Sequence, residues 1–291
     1  MPQPDLSALP GHISQIETLR DSRVLVLAAS HLDIELLPAL FDQCTDIGPT
    51  PRLDVVLHGR GGVVNAARRI ALLLRRQTGH LAFIVPFHCQ SSATLLTLCA
   101  DEIIAGELAQ FSPIDPQLNG ADGSSFSGLD IQHFGAMAET WFGLESEQAR
   151  AESLALLCQS VFPPSLTAFY RTTLELAQIG EELLAWQLPG HDEASRRKIV
   201  SQLMSGYHSH NYALEGADLE KLGLQVRRNA KVEQVAWEIS KLLQGSVGGA
   251  LRNAPDEAYN DAMLATRDAV MVRRKRPGGM GADWTAKPSQ A

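Results

Sequence analysis

One feature constrains this chain more than any other: an apolar strand that passes through a short polar bend straight into an apolar helix, across residues 81–100. Leu81-Ala82-Phe83-Ile84-Val85 has no polar side chain. Pro86 breaks the run, His88-Cys89-Gln90 forms the bend, and Ser91-Ser92-Ala93-Thr94 opens a helix that reaches Ala100. A strand without alternation needs cover on both faces, which points to a buried, mostly parallel sheet. A second unit of the same kind lies upstream. Leu53-Asp54-Val55-Val56-Leu57-His58 runs into the turn Gly59-Arg60-Gly61-Gly62, and residues 63–77 read as an amphipathic helix. Strand, helix and strand in this order pair in parallel through right-handed crossovers, so the fold class is α/β.

Each bend has a structural and a chemical reading. Ser91 at a helix entry is first an N-cap, its hydroxyl accepting an N–H that the helix leaves unpaired. It is also placed as a nucleophile would be, where free N–H groups can stabilise a developing oxyanion. The glycine turn is first a tight turn. A dinucleotide fingerprint would need glycine where Val64 stands, and a phosphate loop would need a lysine, whereas the first lysine of the chain is Lys198. The remaining possibility is that the N–H of Gly61 or Gly62 faces a reacting carbonyl.

Taken together, these stretches resemble the serine dehydrogenase proteinase family. That family is related to the Clp protease proteolytic subunit, signal peptide peptidase A and the crotonases. The family carries a strand then Thr-Pro-Gly-Gly, and this chain has Gly59-Arg60-Gly61-Gly62. It carries Ser-Gly-Gly-Thr then Ala-Asp-Glu-Ile, and here stand Ser91-Ser92-Ala93-Thr94 and Ala100-Asp101-Glu102-Ile103. Its Gly-Pro-Ile/Val-Asp-Pro-Gln-Leu is matched by Ser112-Pro113-Ile114-Asp115-Pro116-Gln117-Leu118. Further likenesses are Asp21-Ser22-Arg23-Val24-Leu25-Val26-Leu27, His210-Asn211-Tyr212 and Leu222-Gly223-Leu224-Gln225-Val226. The resemblance implies a Clp protease/crotonase-like spiral of β-β-α units with a mostly parallel sheet and extra C-terminal helices. The expected organisation is a lead-in over residues 1–17, a peptidase domain over 18–226, C-terminal helices over 227–272 and a basic flexible tail over 273–291.

The resemblance also nominates a site. Ser91 is the expected nucleophile, and the N–H groups of Gly61 or Gly62 and of Ser92 form the expected oxyanion hole. The family base is a lysine after the Asp-Pro-Gln-Leu loop. Here that position holds His133, in Ile131-Gln132-His133. A histidine can take a serine proton near neutrality without the desolvation a lysine requires. Asp115 is the first choice to orient that histidine, with Asp130 second; its structural role would be an Asp-Pro turn. His208 and His210 are rival bases, with His210 read first as packing the turn before Tyr212. Arg60 could clamp a substrate carboxylate but reads first as a solvated arginine. The implied activity is a serine endopeptidase acting on peptides or unfolded proteins, as a homo-oligomer and without a cofactor. An inactive scaffold or partner-binding relative is the alternative, fed by the missing lysine, and a crotonase-type acyl-CoA enzyme comes third.

Composition adds exclusions. A formal net charge of -8 disfavours nucleic acid, which requires a basic face. The run Arg273-Arg274-Lys275-Arg276 is an exception, read as a solvated terminus. Cys44, Cys89, Cys99 and Cys158 are scattered without zinc-ligand spacing, so no metal is expected and free thiols in a reducing cytoplasm are. Residues 1–9 lack the pattern of a signal peptide, and no apolar run approaches about 18 residues, so no membrane span is expected. Along the rest of the chain, helices are expected over residues 12–21, 32–42, 145–160, 164–188, 193–204, 215–222, 231–243 and 256–272. Residues 44–52 and 119–128 read as loops.

Overall fold

The computed structural model describes residues 5–119, 125–143, 146–248, 260–274 and 283–287. Its first half alternates as the sequence predicts. Helix α1 (Leu9–Arg20) leads into β1 (Arg23–Ala29), α2 (Leu36–Ile47), β2 (Thr50–Gly59), α3 (Val64–Gln77) and β3 (Thr78–Val85). The short strand β4 (His88–Cys89) precedes α4 (Ser92–Thr97), β5 (Glu102–Ala105) and β6 (Gln110–Phe111). Strands β7 (Gln117–Asn119) and β8 (Ser125–Ser127) form a separate antiparallel hairpin. Residues 120–124 of the predicted loop lie outside the described residues. Helices α5 (Gly128–Phe142), α6 (Glu147–Ser160), α7 (Pro163–Gln187), α8 (Glu193–Ser205) and α9 (Gly216–Lys221) follow. Then come β9 (Val226–Arg227), α10 (Ala230–Ser246), β10 (Asn260–Ala265), β11 (Val270–Arg274) and β12 (Asp283–Lys287).

The main sheet runs β12-β11-β10-β1-β2-β3-β5-β9, with β4 paired to β2 and β6. From β1 to β9 every pairing is parallel, and β10 to β12 extend the β1 edge in antiparallel fashion. Both faces are covered, which explains the unbroken apolar runs. In β1, Leu25 and Leu27 face a core built with α2, α3, α4, α7 and α8, whereas Val24, Val26 and Ala28 face α1 and α10. Helix α3 buries Ala66, Ala67, Ile70, Ala71 and Leu74, one stripe at helical spacing, and leaves Arg69 and Arg76 exposed. Each fully buried leucine or phenylalanine in these layers stabilises the fold by roughly 1.5–3 kcal/mol.

Three expectations change. Helix α2 starts at Leu36 rather than residue 32 and runs through Ile47, into the span read as a loop. The backbone of Leu32 is taken up elsewhere: its N–H donates to the Gly61 carbonyl at 2.8 Å and its carbonyl accepts the Val63 N–H at 2.7 Å. The helix expected over residues 256–272 is instead β10 and β11, with residues 256–259 outside the described residues. Alanine, methionine and leucine favour a helix there, but β1 offers an open edge, and Ala262–Ala265 are buried on pairing with it. Thr266 makes the turn between them, its Oγ1 accepting the N–H groups of Asp268 and Ala269. Arg273, read as part of a solvated tail, lies in β11 and is 3% exposed, paired with Asp33 and Asp261. Arg274 ends the same strand and is exposed, and residues 275 and 276 lie outside the described residues.

At the end of the sheet away from the glycine turn, Arg20 joins Asp54 (2.9 Å) and Glu102 (2.6 Å), tying α1 to β2 and β5. Burial works against the Glu102 charge, but Arg20, His80 and Arg52 outweigh it and hold the carboxyl below its usual range.

Candidate active site

The parallel strands β1, β2 and β4 end side by side. Gly59 pairs with Cys89, and the Gln90 N–H donates to the Gly59 carbonyl at 3.0 Å. The glycine turn is thereby set against the bend before α4, at the carboxyl ends of the strands, where open α/β sheets place ligands.

Ser91 sits at that bend with φ 53° and ψ -123°, one of two residues other than glycine with positive φ among the described residues. The Ala93 N–H donates to the Gln90 carbonyl at 2.9 Å, so residues 90–93 form a tight turn with Ser91 in its first central place. These angles are those of a type II′ turn, where glycine is the ordinary occupant. A side chain held there costs of order 1–3 kcal/mol and persists only when its surroundings fix it. Ser91 therefore does not act as the N-cap considered from sequence: its hydroxyl makes no capping bond. A serine at a strained strand-to-helix turn projects its Oγ out of the backbone, as nucleophile elbows do.

Gly61 and Gly62 line the other side, with φ 107° and 148°. A Cβ on Gly61 would lie 2.7 Å from Ser91 Cβ and 3.1 Å from Ser91 Oγ. A Cβ on Gly62 would meet the Leu32 backbone at 2.3 Å. Only glycine fits at either place. No hydrogen bond among the described residues engages the N–H of Gly61 or Gly62. Ser92 opens α4, and the first N–H of a helix has no intrahelical acceptor. Its hydroxyl is buried without a hydrogen-bond partner among the described residues.

Asp115 is 2% exposed. Its Oδ1 lies 2.7 Å from His210 Nδ1, and its Oδ2 accepts from Ser127 Oγ and Gln117 Nε2. Burial disfavours the Asp115 charge, yet the bonds from His210 and Ser127 hold its carboxyl below the usual range. A carboxylate only accepts, so His210 carries a proton on Nδ1, and in the neutral ring Nε2 is then an acceptor. The pairing follows from topology. Phe111 and Leu214 form an isolated antiparallel bridge, which brings the segment that carries Asp115 beside the one that carries His210. His133 is exposed on α5, its ring 6.2 Å from that of His208. Among the described residues no hydrogen bond joins His133 to Ser91 or Asp115. Asp130 completes the capping box of α5 with Ser127.

Behind the glycine turn, His58 and His88 stack edge to face at 5.4 Å, with Arg60 3.3 Å from His88 Nε2. Burial, His88 and Arg60 push His58 down to about 3, and burial and Arg60 push His88 down to about 4. Cys89 is fully buried, which raises its thiol pKa well above 9.0 and keeps it protonated two residues from Ser91. Among the described residues no cluster of three or more His, Cys, Asp or Glu could hold a metal ion. No helix among them is long and apolar enough to cross a membrane.

The chain is similar to several known proteins. Two uncharacterised proteins of Methanocaldococcus jannaschii are 26% identical over 196 residues (67% of this chain, 58% of theirs) and 25% identical over 181 residues (62% and 55%). The chain thus spans little more than half the length of these relatives. A solved mutant of a membrane-bound stomatin-specific protease aligns over 78% of this chain and 86% of its own, with a TM-score of 0.41 and 14% identity. Residues 42–130 match the family described as ClpP-like SDH-type serine proteinase. That segment, which holds the glycine turn, Ser91 and Asp115, is what this chain shares with the ClpP-like serine proteinases of the SDH type.

Proposed function

We propose that this chain is a serine endopeptidase that cuts peptides or unfolded proteins by acyl transfer through Ser91. The observation that carries this reading is the positive φ of Ser91 at the strand-to-helix turn, with Gly61 packed on it. In the first step Ser91 Oγ attacks the scissile carbonyl carbon while a histidine accepts its proton. The oxyanion forms against the N–H of Gly61 or Gly62 and that of Ser92. The C–N bond then breaks, the leaving amine takes the proton back, and water hydrolyses the acyl-enzyme by the same route.

Sequence reasoning nominates His133 as the base. The 2.7 Å contact between His210 and Asp115 favours His210, because a histidine base needs a partner that fixes its tautomer. Asp115 orients the base in that case, because among the described residues its hydrogen bonds go to His210, Ser127 and Gln117 and none to His133. Four free cysteines fit a reducing cytoplasm. Trp141, Phe142, Leu154, Leu156, Phe162 and Tyr170, exposed on and between α5, α6 and α7, fit burial against a second copy of the chain.

Hydrolysis of an unfolded polypeptide by the wild type and three variants tests the reading. Ser91→Ala should abolish turnover, and His210→Ala should lower kcat by about 10²-fold or more while the fold persists. Loss in His133→Ala with His210→Ala unaffected would return the base to His133. A folded wild type that neither hydrolyses peptides nor acylates at Ser91 would leave the scaffold reading.

A further inference from the structure

We infer that Thr94 and Ser112 are positioning residues, a pair of buried hydroxyls that hold Ser91 in its reactive backbone conformation. The inference rests on Ser91 being the nucleophile. Thr94 is 0% exposed and Ser112 is 1% exposed, so neither hydroxyl is there for solvent. The Ser91 N–H donates to Ser112 Oγ at 2.7 Å, and Ser112 Oγ–H donates to the Pro113 carbonyl at 3.0 Å. The Ser112 N–H donates to Thr94 Oγ1 at 3.2 Å, and Thr94 Oγ1–H donates to the Cys89 carbonyl at 2.6 Å. The strap therefore closes on itself around the bend, from Cys89 through α4 to the loop that carries Asp115.

The remaining backbone groups of the bend are also taken. Gln90 donates to Gly59 and accepts from Ala93, and the Ser91 carbonyl accepts from the Leu95 N–H. Every main-chain polar group of Gln90 and Ser91 is thus fixed by a partner. That is the over-determination a positive φ at a residue other than glycine requires. Of the bonds named on the main chain of Cys89, Gln90 and Ser91, only the one from Thr94 Oγ1 to Cys89 and the one from Ser91 to Ser112 Oγ involve side chains, so they are the ones that sequence can alter. Without them the bend can relax toward an ordinary conformation, withdrawing Oγ from the space beside Gly61. The same relaxation would turn the Ser92 N–H away from the oxyanion.

The test uses the full chain and a fluorophosphonate probe, with the labelling rate measured against probe concentration. Ser112→Ala and Thr94→Val should each lower the maximal labelling rate about tenfold, the size of one lost hydrogen bond between neutral groups. The half-saturating concentration should stay within about twofold, because the probe-binding surface is untouched. Thr94→Ser, which keeps the hydroxyl, should restore the rate. Amide exchange of the peptide containing Ser91 gives a second readout independent of activity, and both disabling variants should speed it. Wild-type maximal rates and wild-type exchange in both variants would overturn the inference. So would a Thr94→Ser chain as slow as Thr94→Val, which would assign the effect to methyl packing. A folded wild type that takes no label refutes Ser91 as nucleophile instead, and exchange at the bend then still decides whether the strap holds it.

Discussion

Replacing His58 with leucine should flatten the acid side of the stability curve. His58 is 7% exposed, its Nδ1 has no hydrogen-bond partner among the described residues, and its pKa falls from 6.5 to about 3. The unfolded chain takes up a proton at this residue below about pH 6.5, while the folded chain stays neutral until about pH 3. Unfolding therefore binds a proton throughout that window, and folded stability falls as pH falls. At about pH 5 the unfolded state gains about 2 kcal/mol from this one histidine relative to about pH 7.5. His88, lowered to about 4, acts in the same direction with a smaller, more solvent-screened effect. Urea unfolding at several pH values measures the curve, and the difference between wild type and His58→Leu removes the carboxylates common to both. The gap between the two chains should narrow or reverse by about 2 kcal/mol in favour of the variant between about pH 7.5 and pH 5. Parallel curves across the window would refute a neutral buried His58.

Further outcomes follow from the same geometry. Gly61→Ala should fold and yet lose probe labelling, because its Cβ would lie 2.7 Å from Ser91 Cβ at φ 107°; labelling at the wild-type rate would count against that crowding. Ser92→Ala should raise stability by up to about 1 kcal/mol in urea unfolding, since it removes a buried hydroxyl with no partner; destabilisation would mean the hydroxyl is satisfied. Light scattering at micromolar concentration should give a mass above the 31.6 kDa of one chain, and a lone monomer would argue against burial of the exposed aromatic residues on α5 to α7.

Much of the sheet was legible because burial on both faces writes itself as uninterrupted apolar runs, as in β1, β2 and β3. The C-terminal hairpin was not. Its alanine, methionine and leucine content is helical in propensity, and only the open edge of β1 selects a strand. At the site, the glycine turn and Ser91 stand out as a motif, but the positive φ of Ser91 and the missing capping bond are properties of the backbone path alone. Thr94 and Ser112 lie inside quoted motifs without any sign that their hydroxyls bind the same bend. The pairing of Asp115 with His210 depends on a bridge between Phe111 and Leu214, distant in sequence, and local periodicity carries no trace of it.

The central claim is that Ser91 is the nucleophile. Mass spectrometry of proteolytic peptides after fluorophosphonate treatment tests it most directly. The account predicts a single adduct on Ser91, absent from the Ser91→Ala chain; an adduct on Ser92, or none on a folded protein, would contradict it.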